Sequence, residues 1–538
     1  MAGSERPRVT IIGGGLGGLA TALALAESQK VDVTILERSE RLGGAAGASL
    51  VDGRYEDHGY HIFPPWYRNV YAILERLNLR ERLEDMTQFH QLRAGEYPAA
   101  KPLTNFTSLR FAWRNLRSGA IPFWDLVLYY YSVIDLICQP YRLRAFLDQI
   151  SLSGFVRSRF YRTEAIAKQY HDLLLKFVSV PSYRVSAMTV QKMLSFWVAD
   201  GVPMHRILPG DLHTTFIGVW EQRLLELGCT VVKNAQVTKL RIEGGRISGV
   251  DVLSAGGSTP ATWPVENVVL GMAPRDAWPL LDDDVYSADP LITAVRYLKS
   301  EAMAGLTLYL DRRIVDLPET HINLLESRFA LTAIDVSRHW TGFDCTVLNV
   351  IASDVVELEG LAPAHAEGEI VAELTRFFPF LTEAKIVRSY YQPHYSEPLV
   401  TNEVGAWLFR PEAVTGIENL YFAGSACRSH IDMNSMEGAV TTGLLAANAI
   451  MERNGIPYRT EIRRPKETSK LLMHVLRILG LPVAAFAKGW LSLRDWMRGE
   501  DANVPPAKSK SGRLEDRKRR RAATLKAAAA ARGANYSR

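Results

Sequence analysis

Gly13, Gly15 and Gly18 stand in a G-x-G-x-x-G frame directly after the β-branched run Val9-Thr10-Ile11-Ile12. Glycines at that spacing do chemistry by what they lack. One permits the tight turn from strand to helix, one lets a pyrophosphate reach the backbone, and one lets helix and strand pack closely. Unpaired amides at the helix start then point at negative charge. A second apolar run, VDVTILE, ends about twenty residues on at Glu37, where a carboxylate accepts hydrogen bonds from ribose hydroxyls. Strand, glycine turn, helix, strand and acid in register predict an adenine-dinucleotide site. Val9 to Ala26 is apolar enough to pass for a signal-peptide core behind Arg6 and Arg8, but the glycine frame and the following acid-ended strand argue against that.

The same parts recur near the other end. NLYFAGSACRSHIDMNSMEGAVTTGLLAANAI, Asn419 to Ile450, reads as a short strand, a small-residue turn, a polar loop and a helix from about Ser435. A second anion-facing helix start is expected there.

Between them, ERSERLGGAAGA carries Gly43 and Gly44 just past the acidic strand end. This resembles the second glycine pair of the FAD-dependent family that includes amine oxidases, carotenoid desaturases and Rab escort proteins. A basic residue usually follows the pair; here it is Ala45, so Arg41 or Arg38 is expected to supply the charge. DHGYHIFPPWYRNVYAILERLNL, Asp57 to Leu79, is similar to the plant- and cyanobacterial-type phytoene and ζ-carotene desaturases, which implies that His61, Ile62 and Tyr67 face a flavin. The late segment resembles the closing flavin motif of the same enzymes, with Gly424, Met436, Gly438 and Ala439 at matching positions and Ser425 where that family has an acid. The resemblance also lays Val237 along the adenine and places Arg206 and Asn434 near substrate. Arg206 equally suits a structural ion pair, and Asn434 a helix start. No catalytic side chain stands out; His430 and Asp432 are candidates for relaying a proton or for holding a loop. Cys427 lies within the motif as a packed residue or as an attachment point for the flavin.

These residues need scaffolding. With 538 residues the chain exceeds one ordinary core. The expected fold is α/β: a Rossmann-like FAD-binding domain of the glutathione-reductase type, interleaved with a mixed substrate domain containing a helical insertion. Residues 7–100, 205–290 and 395–455 are assigned to the first, 101–204 and 291–394 to the second. The Gly244-Gly245 turn within the middle nucleotide segment predicts a β-hairpin. The aromatic stretch FWDLVLYYYSVIDLICQPYRLRAFL is interrupted at Asp125 and Asp135, too soon to span a bilayer. Residues 456–500 read as amphipathic helices, broken at Pro482, that lie in a membrane interface or cap the flavin domain.

Apolar residues make up 47 % of the chain, which excludes wholesale disorder. Four cysteines without a C-x-x-C argue against zinc or a disulfide framework and fit a reducing cytoplasm. The net charge is concentrated: residues 508–538 hold eleven Lys or Arg against two acids, a net of +9, so the remainder carries −4 against the total of +5. With no aromatics interleaved among the basic residues of RLEDRKRRRAATLKAAAAARG, a phospholipid surface suits the 501–538 tail better than nucleic acid.

The resemblance implies an FAD-dependent oxidoreductase that desaturates a long isoprenoid or carotenoid-like substrate in an apolar tunnel, with quinone or oxygen as electron acceptor. It leaves open a hydroxysqualene-dehydroxylase-like reductase, an amine oxidase, and a non-catalytic prenyl-binding escort protein.

Overall fold

A computed structural model describes residues 6–104, 109–140, 144–394 and 398–498; the 501–538 tail lies outside the described residues. Five parallel strands form the nucleotide sheet in the order Leu420–Phe422, Asn267–Leu270, Arg8–Ile12, Asp32–Leu36, Thr230–Val232. Thr10 sits opposite both Val268 and Thr34, so the N-terminal strand is central. Its alternate residues enter two cores. Val9 and Ile11 pack on helices, whereas Ile12 packs beneath the antiparallel strands Ala235–Glu243 and Arg246–Ser254, which turn at Gly244-Gly245. Burial on both faces is why these strands read as continuous apolar runs.

Helix Leu16–Glu27 is buried from Leu16 through Ala26, sandwiched between the sheet and helix Met436–Arg453. That explains its lack of charge, since a helix covered all round has no solvent stripe. The two helices touch backbone to backbone: a Cβ on Gly443 would lie 2.3 Å from the Gly17 carbonyl oxygen, and Thr21 Oγ1 donates to the Gly443 carbonyl at 3.1 Å.

A seven-stranded mixed sheet forms the second layer system, ordered Ile386–Pro393, Ala304–Leu310, Val347–Ala352, Leu331–Asp335, Ile322–Leu324, Phe89–Leu92, Lys101–Leu103. Phe89–Leu92 was expected within the nucleotide segment 7–100, but it pairs with Ile322–Leu324 in this sheet. Nothing local in FHQL names a partner some 230 residues away, and pairing decides membership. One face of the sheet, with Leu92, Ile322, Ala333 and Val350, packs on helix Pro363–Phe377. The opposite face carries Gln91, Asn323 and Thr332 side by side in one row across the strands and Asn349 beside Thr307 in another.

The described residues between 109 and 199 are mostly helical, and Ser151, Thr163 and Ser186 cap three of the helices by accepting main-chain N–H groups. Against the expectation of a break at Pro482, Lys470–Met497 is one helix of 28 residues. An interior proline costs about 3 kcal/mol, and packing on both sides of it holds the helix through. Met473, Ala484, Ala487 and Leu491 are buried, Gly480 fits against Tyr131, and Arg477 Nε reaches Asp135 at 2.7 Å, all along helix Phe123–Cys138. The helix is also long and apolar enough to cross a membrane by length and composition.

Candidate dinucleotide and substrate site

The N-terminal strand ends at Gly13, whose φ of +102° and a built Cβ only 2.8 Å from the Gly271 carbonyl oxygen bar other residues. Gly15 caps the following helix. Gly43 N donates to the Gly14 carbonyl at 2.8 Å, and a Cβ on Gly44 would stand 3.2 Å from Gly15 Cα, so the two glycine segments lie directly on each other. Glu37 closes the loop from behind. Its Oε2 accepts from Gly14 N at 2.7 Å and its Oε1 from Ser39 N and Oγ at 2.9 and 2.8 Å, which leaves lone-pair capacity for a ribose.

Gly13, Gly15, Glu37, Gly43 and Gly44 line one cavity of about 800 Å³. Arg38 and Arg41 line it too, at different stations. Arg41 Nη1 donates to the Gly44 carbonyl at 3.3 Å, beside the glycine pair, whereas Arg38 pairs with Asp276 at 2.7 Å, near Val237. The late motif arrives from the far side: Gly424, Ser425, Asn434, Met436 and Ala439 reach the same cavity, and Ser435 caps its helix by accepting from Gly438 N at 3.1 Å. His61, Ile62 and Tyr67 complete this middle section. Burial pushes the His61 imidazole down to about 4, so it is neutral at pH 7.

The remaining candidate residues stand elsewhere. Gly18 and Gly438 are absent from the wall and serve packing, a Cβ on them falling 2.1 Å from the Gly13 carbonyl oxygen and 2.5 Å from that of Met433. Arg206 is a structural ion-pair residue, bonded to Asp85 at 2.6 Å and lying over the Tyr71 ring, outside the cavity. His430 is likewise outside it. Cys427 is buried off the wall with its thiol pushed up to about 12 by burial, which removes the thiolate that a covalent attachment needs.

Two features escaped the sequence. Glu437 is fully buried and accepts from Asn69 N, Val70 N and Asn69 Nδ2 at 2.8–3.1 Å, while Asn69 Oδ1 accepts from Arg463 N at 2.8 Å. A carboxylate of the late helix thereby caps the helix Arg68–Arg76 that follows the flavin-facing segment. The S-M-E-G string held the only hint. The second feature is the cavity's other end, walled by Tyr60, Lys176, Phe177, His321, Asn323, Thr332 and Ile351. The aromatic helix Phe123–Cys138, expected to line an apolar tunnel, contributes no residue to this wall.

Two bare glycine segments, a carboxylate that holds the first loop from behind and a serine-capped helix start around one cavity define the site of an adenine-dinucleotide flavoprotein, and FAD fits the residues present. The chain belongs to the flavin-containing amine oxidoreductase family, whose model matches residues 16–451. It is 24 % identical over 512 residues to a 15-cis-phytoene desaturase of Synechococcus elongatus, covering 86 % of this chain and all of the relative. It is 26 % identical over 494 residues to a carotenoid phi-ring synthase of Streptomyces griseus, covering 85 % of this chain and 90 % of the relative. Among solved structures, wild-type putrescine oxidase bound to putrescine superposes with a TM-score of 0.63 at 17 % identity, over 83 % of this chain and 99 % of that one. The protein is thus an FAD-dependent oxidoreductase.

Proposed function

We propose that the protein desaturates a long, apolar, isoprenoid-like substrate. Bound FAD supplies a hydride acceptor. The chain's own residues hold the reacting C–H bond in the chamber between the glycine loops and the seven-stranded sheet and exclude water from it. One carbon of a CH2–CH2 unit loses a hydride, its neighbour loses a proton, and a conjugating double bond results; a quinone or oxygen takes the electrons. The observation that carries this reading over amine oxidation is the charge of the chamber. Among the described residues the acids on the cavity wall, Glu37 and Asp276, lie in the nucleotide half, and the chamber end carries Lys176 instead. A cationic amine finds no counter-charge among the described residues there, whereas a neutral chain needs none.

Anaerobic mixing of the purified yellow protein with phytoene or with putrescine tests this through loss of flavin absorbance. Bleaching by phytoene alone supports the proposal; bleaching by putrescine alone refutes it.

The reading extends to a membrane. Ile478, Leu479, Phe486 and Trp496 of the C-terminal helix are 71, 68, 60 and 76 % exposed, forming an apolar face opposite the one that packs on the body. Such a face suits the headgroup–acyl boundary, from which a water-insoluble substrate is drawn. Leu479→Glu with Phe486→Glu should release the protein from floating liposomes with its flavin retained, and unchanged flotation would count against this role.

A further inference from the structure

We infer that the substrate carries a neutral oxygen function, a hydroxyl or carbonyl, which docks on the polar floor of the chamber. This rests on the isoprenoid reading and narrows it, because a pure hydrocarbon chain has nothing to offer that floor.

The seven-stranded sheet is two-faced. Its apolar face is spent on helix Pro363–Phe377, and its other face brings Asn323 beside Gln91 on one neighbouring strand and Thr332 on the other. Asn323 and Thr332 line the cavity, together with His321 from the same segment. His321 and Asn323 are each 3 % exposed, yet His321 Nδ1 and Asn323 Oδ1 have no hydrogen-bond partner within the protein. Buried polar atoms are left unpaired at a cost that natural proteins rarely accept without a partner from outside. One neutral donor–acceptor group, such as a hydroxyl, satisfies both kinds of atom at once.

Charge excludes the alternatives. Lys176, the wall's cation, is already committed to Asp172 at 3.0 Å and to the Leu324 carbonyl at 2.9 Å, so its charge is balanced locally. Burial and the neighbouring His205 and His90 hold the His321 ring in its neutral form. A floor of neutral groups with a compensated lysine recognises neither a carboxylate nor an ammonium. Its position matters as well. The Tyr60 ring stacks on His321 with centroids 5.9 Å apart, and Tyr60 directly precedes His61, so the polar floor adjoins the section of wall that carries His61.

The test uses holoenzyme in detergent and two chain-matched pairs: squalene with its mid-chain alcohol, and phytoene with its 1-hydroxy derivative. Titration followed by the shift in flavin absorbance should show the alcohol of at least one pair binding about tenfold tighter than its hydrocarbon, as a site built to hydrogen-bond an oxygen discriminates against the analogue lacking it. His321→Phe and Asn323→Leu should bring that ratio close to one while the protein stays yellow. Equal or tighter binding of both hydrocarbons by the unaltered enzyme overturns the inference and leaves the desaturase reading standing, as does a preference that survives both substitutions. If no member of either pair perturbs the flavin of folded protein, the isoprenoid reading fails and the substrate class named here fails with it.

Discussion

The two ends of the cavity are built by opposite means. The nucleotide end is a matter of backbone: carbonyls and amides brought within touching distance because Gly13, Gly15, Gly17, Gly43 and Gly44 have no side chains in the way. The chamber end is a matter of side chains, projected from one face of a sheet whose other face is core. A backbone site tolerates almost no added atom, whereas a side-chain site can be rewritten at alternate positions. Substitutions should therefore hurt very unequally.

The largest effect is expected at Gly17, where a Cβ would fall 2.7 Å from Gly424 N, main chain that cannot yield. Gly17→Val should give no soluble, folded protein. Gly15 offers a sharper contrast, because a Cβ there has 3.7 Å of clearance from its nearest neighbour and points into an open cradle. Gly15→Val should fold with near-normal circular dichroism yet purify colourless, and a yellow preparation would break the assignment.

Next in size is Glu437→Leu, which strands the buried N–H groups of Asn69 and Val70, while Asn69 Nδ2 keeps Thr441 and the Arg463 carbonyl, and should cost about 3 kcal/mol in denaturant unfolding. A loss under 1 kcal/mol would deny that the late helix is clipped to Arg68–Arg76 in this way.

Acid should weaken the whole protein more gradually. Burial holds His58 at about 2, His205 at about 3, and His61, His394 and His430 at about 4, all below the unfolded value near 6.5. Between these values the unfolded chain binds more protons than the native one, so stability is present above pH 6.5 and is lost as pH falls toward 4. The thermal midpoint should drop steadily across that window; a flat profile would mean that these rings are solvated.

The smallest change is expected from Glu37→Ala, which removes a ribose acceptor and slackens the Gly14 loop but leaves the cradle in shape. FAD affinity should fall about tenfold, measured by flavin release in ultrafiltration.

This asymmetry also governs what could be read from the residues. The nucleotide half was legible because its function depends on spacing within short segments, so G-x-G-x-x-G with Glu37 carries its meaning locally. The Gly244-Gly245 turn was legible for the same reason. The chamber was not, because Tyr60, Lys176, His321 and Thr332 become neighbours only through strand pairing and helix packing. Phe89–Leu92 shows the same point, because the strand it pairs with, Ile322–Leu324, lies far along the chain. Of the two readings left open for Arg206, its guanidinium takes the ion pair, turned to Asp85.

The nucleotide sheet takes its outermost strand from Leu420–Phe422, and the cradle takes its second helix from Met436–Arg453. A ribosome must therefore pass residue 453 before any half of the cofactor has a finished place to sit. Flavin loading belongs to the last moments of synthesis or after it, and the nascent N-terminal glycine loop must wait, apolar and uncovered, in the care of whatever shields such chains in the cell.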